Sequence, residues 1–217
     1  MPFIKLASIA ALVLGSLLAG CAVGPTVNMN AADRATIKSV TMNTPPTLPA
    51  EMFFHGKAQS LGVAVGGLIG GVLAAVAAKE PKAQLVDAMK ANGIDLPTIL
   101  KTEFFAATAS RRLLTQADST AAAQGDLTLT INAYGFGQTQ GFSSLLYPLL
   151  KVTATIKKPN GEIAWQRTDF ALPLNSDNKF GYEFEQYLKE PELLRKTLTN
   201  ISGIVSRMLV DDLASGR

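Results

Sequence analysis

The chain has one cysteine, one histidine and one tryptophan in 217 residues. A lone cysteine, Cys21, excludes an intrachain disulfide, a paired-thiol redox centre and a cysteine-built zinc site. A lone histidine, His55, has no second imidazole and no clustered carboxylates with which to share a metal, and between Phe53, Phe54 and Gly56 it reads as structural. A serine triad would have to use His55, and no Gly-x-Ser-x-Gly elbow is present. Charge is also scarce: charged residues make up 17% of the chain and the net charge is +3. The densest basic spots, Arg111-Arg112 and Lys157-Lys158, lack the interleaved aromatics of a single-strand binding surface, so no nucleic-acid partner is expected. Two carboxylate pairs, Glu183 with Glu185 and Asp211 with Asp212, have no spacing that marks a glycosidase, and both read as solvated faces. The expectation is a protein that is not an enzyme, with no catalytic residue, no metal and no cofactor.

What the chain does have is concentrated at its start. Lys5 is the sole charge in the first twenty residues, and Leu6 to Leu18 is broken only by Ser8, Gly15 and Ser16. A positive residue, a short apolar run and small residues after it form the pattern of a secretory signal. The run falls short of the ~20 apolar residues that span a bilayer. It closes on Leu18-Ala19-Gly20-Cys21. This tetrapeptide resembles the lipobox of bacterial lipoproteins. The resemblance implies cleavage before Cys21, a diacylglycerol on its thiol, and acylation of the new amino group. It also implies that Ala22, where an aspartate would favour inner-membrane retention, favours the outer membrane and its periplasmic face. Several acyl chains anchor stably where one is marginal. The expected organisation is a signal peptide at 1–20, a flexible tether at 21–36 and one periplasmic domain at 37–217.

Within that domain, Ala58 to Ala78 carries no charge between Lys57 and Lys79. As a helix it would be about 31 Å long. Gly62, Gly66 and Gly70 recur at four-residue spacing, and Gly67 and Gly71 repeat the step. On a helix this gives a smooth stripe that another backbone could approach closely. The pattern resembles the glycine zipper of envelope and pore-forming proteins. Three readings stay open: a membrane-inserting or self-associating helix, an apolar helix or hairpin packed inside the domain, and a loop. Each glycine costs a helix about 1 kcal/mol against alanine, which weakens the first. A phosphate loop is excluded, because no Gly-Lys-Ser/Thr follows the glycines.

The remaining pattern predicts an α+β fold, with an antiparallel sheet of at least three strands and helices packed on one face. Ile37 to Met42 alternates as a strand. Pro81 opens a helix that Asn92-Gly93 ends, and Asp95 caps a second helix with Pro97 in its first turn. Asp126 to Tyr134 alternates, with Leu127, Leu129, Ile131 and Ala133 on one face. Leu150 to Lys157 does the same, and Asn160-Gly161 then predicts a hairpin. The return strand shifts phase between Trp165 and Phe170, which predicts a bulge near Arg167-Thr168-Asp169. Pro191 to Leu213 carries a stripe of Leu194, Leu198, Ile201, Val205, Met208 and Leu209, a helix to cover the sheet. This order of elements is similar to periplasmic lipoprotein domains of the curli-secretion and penicillin-binding-protein-activator kind, an architectural likeness over 37–213.

The turn Gly135 to Phe142 sets two aromatics among three glycines. Phe136 and Phe142 are therefore candidates for contact with a partner or a lipid surface, against the alternative that both rings tuck under the sheet edge. The functional expectation is a lipid-anchored accessory or assembly factor with an envelope protein partner. The alternatives are a glycine-zipper homo-oligomer that perturbs a membrane and, least favoured, an envelope hydrolase.

Overall fold

The computed structural model describes residues 25–56, 80–139 and 143–216. The fold is α+β. Three long antiparallel strands, β4 (Gly125–Gly137), β5 (Tyr147–Lys157) and β6 (Ile163–Ala171), form its centre. Two short strands, β1 (Ser39–Thr41) and β2 (Phe53–His55), line the other edge of β4, and a third, β3 (Thr115–Gln116), pairs with β1 beyond it. β1 runs parallel to the start of β4 and to β3, and β2 runs parallel to the end of β4. The sheet order is β3-β1-β4-β5-β6, with β2 beside β4.

Five helices accompany the sheet among the described residues: α1 (Ala31–Thr36), α2 (Pro81–Ala91), α3 (Leu96–Ser110), α4 (Phe184–Lys189) and α5 (Pro191–Ser215). Their ends follow local rules. The Asp95 carboxylate accepts from the Thr98 N–H, capping α3. Past α2, Asn92 donates to the Ala88 carbonyl and Gly93 turns at φ +58°. α5 lies across β5 and β6 and packs along α3. Its apolar stripe, from Leu194 through Leu198, Ile201, Val205 and Leu209, is buried. Leu127, Leu129 and Ile131 of β4 meet Leu150, Val152, Ala154 and Ile156 of β5 in the same core. The opposite sheet face carries threonines: Thr128 pairs with Thr155 and Thr130 with Thr153.

Four expectations are corrected. First, the tether does not extend to residue 36. Val27 and Gln166 exchange two backbone hydrogen bonds of 2.9 Å, so the chain adds an antiparallel bridge to the free edge of β6. The Gln166 amide donates to the Pro25 carbonyl at 2.9 Å, and Met29 is buried. α1 follows, capped by Asn30. Small polar residues look like a linker, but an open strand edge supplied partners for their backbone.

Second, the bulge of β4 lies at Asn132, where pairing jumps from Ile131 with Val152 to Ala133 with Lys151. The extra residue reverses the alternation, so Tyr134 and Phe136 turn inward in place of Ala133. Third, β6 has no bulge at 167–169. Its register slips earlier, at Ala164, between the pairs Ile156–Trp165 and Lys157–Ile163. Trp165, Arg167, Asp169 and Ala171 then pair with Ile156, Ala154, Val152 and Leu150 and share their inward face. The apparent phase shift arose because two inward positions are charged.

Fourth, the hairpin turn is centred on Pro159-Asn160. Gly161 N–H donates to the Lys158 carbonyl at 2.9 Å, and only Gly161 has positive φ, +85°. Proline at the second position of a four-residue turn, with glycine at its end, fits a type I turn and a bulge glycine.

Candidate functional site

Of the sequence candidates, Cys21, Gly62, Gly66, Gly67, Gly70, Gly71 and Phe142 lie outside the described residues. Phe136 is described, and its reading as a contact residue is corrected. The Asn132 bulge turns it into the core, where its side chain is fully buried and its ring centroid lies 4.8 Å from that of Tyr187.

Phe136 belongs to an aromatic cluster at one end of the sheet. Tyr182 meets Tyr187 edge-on at 5.8 Å, and Phe54 meets Phe184 edge-on at 6.0 Å. The Tyr187 hydroxyl donates to the Leu146 carbonyl at 2.8 Å, with the Phe180 carbonyl at 3.0 Å from the same oxygen. Burial pushes its ionisation well above the ordinary tyrosine range. The hydroxyl therefore stays a donor and clamps the segment around Phe180 to the start of β5. Gly135 has φ +148°, and a Cβ there would meet the Phe53 carbonyl oxygen at 1.9 Å. Glycine is what lets β2 lie against the end of β4. Gly181 plays a similar part under Tyr147, whose ring would stand 2.3 Å from a Cβ.

The outer rim of this end is apolar and exposed. Phe53 is 50% exposed, Leu172 37% and Leu174 77%. Phe53 Cε1 and Pro173 Cγ lie 3.7 and 3.6 Å from the position a Cβ on Gly137 would take, so β2 and the turn after β6 meet over the end of β4. Asn178 holds that turn, donating to the Pro148 and Leu172 carbonyls at 2.8 and 2.9 Å. The chain also leaves β2 here. A Cβ on Gly56 would come within 2.6 Å of Leu146 Cδ2. His55, the last residue of β2, is exposed and not part of the core.

A second polar cluster lies beneath α5. The guanidinium of Arg167 stands between Asp169, at 3.4 Å, and Asp212, at 3.4 Å. The indole N–H of Trp165 donates to the other Asp212 oxygen at 3.0 Å. Burial raises the Asp169 pKa, Arg167 opposes that, and Asp212 adds to it. Asp212 is therefore not a solvated helix-end residue; only its neighbour Asp211 is exposed, paired with Arg111. Every group in the cluster is bonded to another member, which is the arrangement of a structural lock between β6 and α5. Glu183 and Glu185 form no cluster: Glu183 caps α4 through a capping box with Gln186.

Among the described residues no group of three or more histidine, cysteine, aspartate or glutamate side chains could hold a metal ion. Among the same residues no helix is long and apolar enough to cross a membrane. The exposed rim had a partial signal in the sequence, since Leu172-Pro173-Leu174 follows a strand where polar turn residues are the norm.

No known protein family matches the sequence, and no curated protein matches it. Among solved structures, the chain is similar to a Xanthomonas campestris protein of the family DUF330, at 10% identity over 90% of this chain and 97% of that one, with a TM-score of 0.35. It is also similar to a minor lipoprotein from Acinetobacter baumannii, at 12% identity over 52% of this chain and 84% of that one, with a TM-score of 0.26. Likenesses of this degree define neither fold nor function, and the chain is placed by its own residues.

Proposed function

We propose that the protein is a lipid-anchored, non-catalytic accessory or assembly factor of the bacterial cell envelope, held through Cys21 on the periplasmic face of the outer membrane. The observation that carries the reading is Leu18-Ala19-Gly20-Cys21 at the close of a short apolar run behind one lysine. Ala22 supports outer-membrane sorting. The domain supports it in a second way: ordered backbone pairing begins by Val27, so the folded part sits close behind the anchor. An accessory role fits a domain whose buried polar cluster is taken up in joining α5 to β6.

Labelling cells with radioactive palmitate tests the anchor. The chain takes up label, Cys21→Ser does not, and only the first fractionates with outer membranes. Label retained in the serine variant would sink the reading. Crosslinking with mass spectrometry in intact cells then tests the accessory role. One distinct envelope protein crosslinks to the native chain and to a chain lacking 58–78.

A second reading rests on Gly62, Gly66 and Gly70 within an uncharged stretch. In it, a glycine zipper assembles copies of this chain in or on a membrane. Self-crosslinks that vanish with Gly66→Leu plus Gly70→Leu would put it first.

A further inference from the structure

We infer that the apolar rim formed by Phe53, Leu172 and Leu174 rests on the lipid bilayer that holds the anchor, so that the domain stands on the membrane on one defined end. The inference deepens the lipoprotein reading and depends on it. Two observations point to the same end of the sheet.

The first is the direction of the N-terminal chain. Val27 pairs antiparallel with Gln166. Passing back from Val27 to Pro25 therefore runs the same way as passing forward along β6, and the Gln166 side chain bonded to the Pro25 carbonyl marks that direction. Cys21 lies six positions before Val27, and Leu172 six positions after Gln166. Extended chain covers at most ~3.3–3.6 Å per residue, so the anchor lies at most ~21 Å from Val27. The strand from Gln166 to the end of β6 uses most of that reach. That reach is enough to set the anchor beside the Leu172 end, toward which the described chain runs at Pro25.

The second is where apolar side chains are exposed. Among the described residues, the large hydrophobic side chains most open to solvent are Leu48, Phe53, Ile163, Leu172 and Leu174. Three of these five stand at the rim, Leu48 is in the loop between β1 and β2, and Ile163 opens β6 at the far end. Leucines and a phenylalanine that project from a folded end suit shallow burial in a bilayer interface.

The chain offers a clean test, because Cys21 is its only cysteine and acylation removes its thiol. Leu174→Cys and Ile163→Cys are each labelled with an environment-sensitive fluorophore in the full-length acylated protein. Each is reconstituted in phosphatidylethanolamine–phosphatidylglycerol vesicles carrying nitroxide-labelled lipid, and the palmitate content of the same sample is measured. Both positions are exposed, and the near-ultraviolet circular dichroism of Trp165 verifies the fold. The expected result is severalfold stronger quenching at 174 than at 163. Equal quenching, or stronger quenching at 163, in a palmitate-bearing sample overturns the orientation and leaves the anchor standing. A folded sample without palmitate overturns both.

Discussion

The indole N–H of Trp165 reaches from β6 to the Oδ1 of Asp212, near the end of α5, at 3.0 Å. The other oxygen of that carboxylate takes Arg167 at 3.4 Å. One aspartate thus satisfies the polar edge of a buried tryptophan and neutralises an inward-facing cation. Trp165→Phe loses one charge-assisted hydrogen bond and should cost about 1–2 kcal/mol. Asp212→Ala leaves the Trp165 N–H without its acceptor and Arg167 with Asp169 alone. It should cost about 2–3 kcal/mol, less than a fully buried pair because Arg167 keeps some contact with water. Urea unfolding followed by Trp165 fluorescence measures Asp212→Ala, and circular dichroism measures both. Asp212→Ala no more costly than Trp165→Phe would argue against a shared lock.

The neighbouring Asp169 makes stability pH-dependent in an unusual direction. Its pKa is raised above 3.8, chiefly by burial. The folded state then holds a proton that the unfolded state releases, over the interval between the two pKa values. Through that interval stability falls as pH rises. Asn at this position has no such dependence. The melting temperature of Asp169→Asn relative to the native chain should therefore rise from pH 4 to pH 7. A constant difference would show that Asp169 titrates normally.

Gly135→Ala attacks the aromatic end through the backbone. The methyl group would fall on the Phe53 carbonyl, at a φ that alanine rarely adopts. Loss of the β2 pairing should cost about 2–4 kcal/mol. Hydrogen exchange should report it locally first, at the Gln138 amide that donates to the His55 carbonyl at 3.0 Å.

Ser206 predicts the opposite sign. Its hydroxyl is fully buried on α5 and has no hydrogen-bond partner among the described residues. Ser206→Ala removes a stranded polar group at almost no change in volume and should stabilise by about 1 kcal/mol. A loss of stability would reveal a partner for that hydroxyl.

Val27→Pro tests the strand edge. Proline cannot donate to the Gln166 carbonyl, so one of two 2.9 Å bonds disappears. Faster exchange at the Gln166 amide and a fall of about 1–2 kcal/mol should follow. Unchanged protection would mean that residues 25–29 add nothing to the sheet.

The parts of this fold legible in the sequence are those decided within a few residues. Asp95 as a cap, Asn92-Gly93 as a helix stop, the alternation of β5 and the site of the hairpin all follow from local chemistry. The parts that were not legible depend on partners far along the chain. Arg167 faces inward between Asp212 and Asp169, each of which pairs with it, and alternation rules read charged positions such as 167 and 169 as outward. Asn132 carries no mark of a bulge, yet its insertion decides that Phe136 is core. The parallel pairing of β1 and β2 with β4 has no local signature at all. Of the candidate site, Phe136 was misplaced for this reason, and the rim of Phe53 and Leu174 emerged only once β2 and the turn after β6 were seen to meet.

Arg34 donates to the Met29 carbonyl at 2.8 Å and to the Ala214 carbonyl at 3.3 Å, tying α1 to the final turn of α5 across 180 residues. For a chain made from its N-terminus this sets an order of events. The N-terminal bridge to Gln166 and the α1 contact with Ala214 can close only after almost the whole polypeptide has emerged. Loop closure over such separations is slow. The open edge of β6 is thus a late-sealed seam, and the interval before it closes is when the newly made chain is most exposed to proteases and to pairing with other chains.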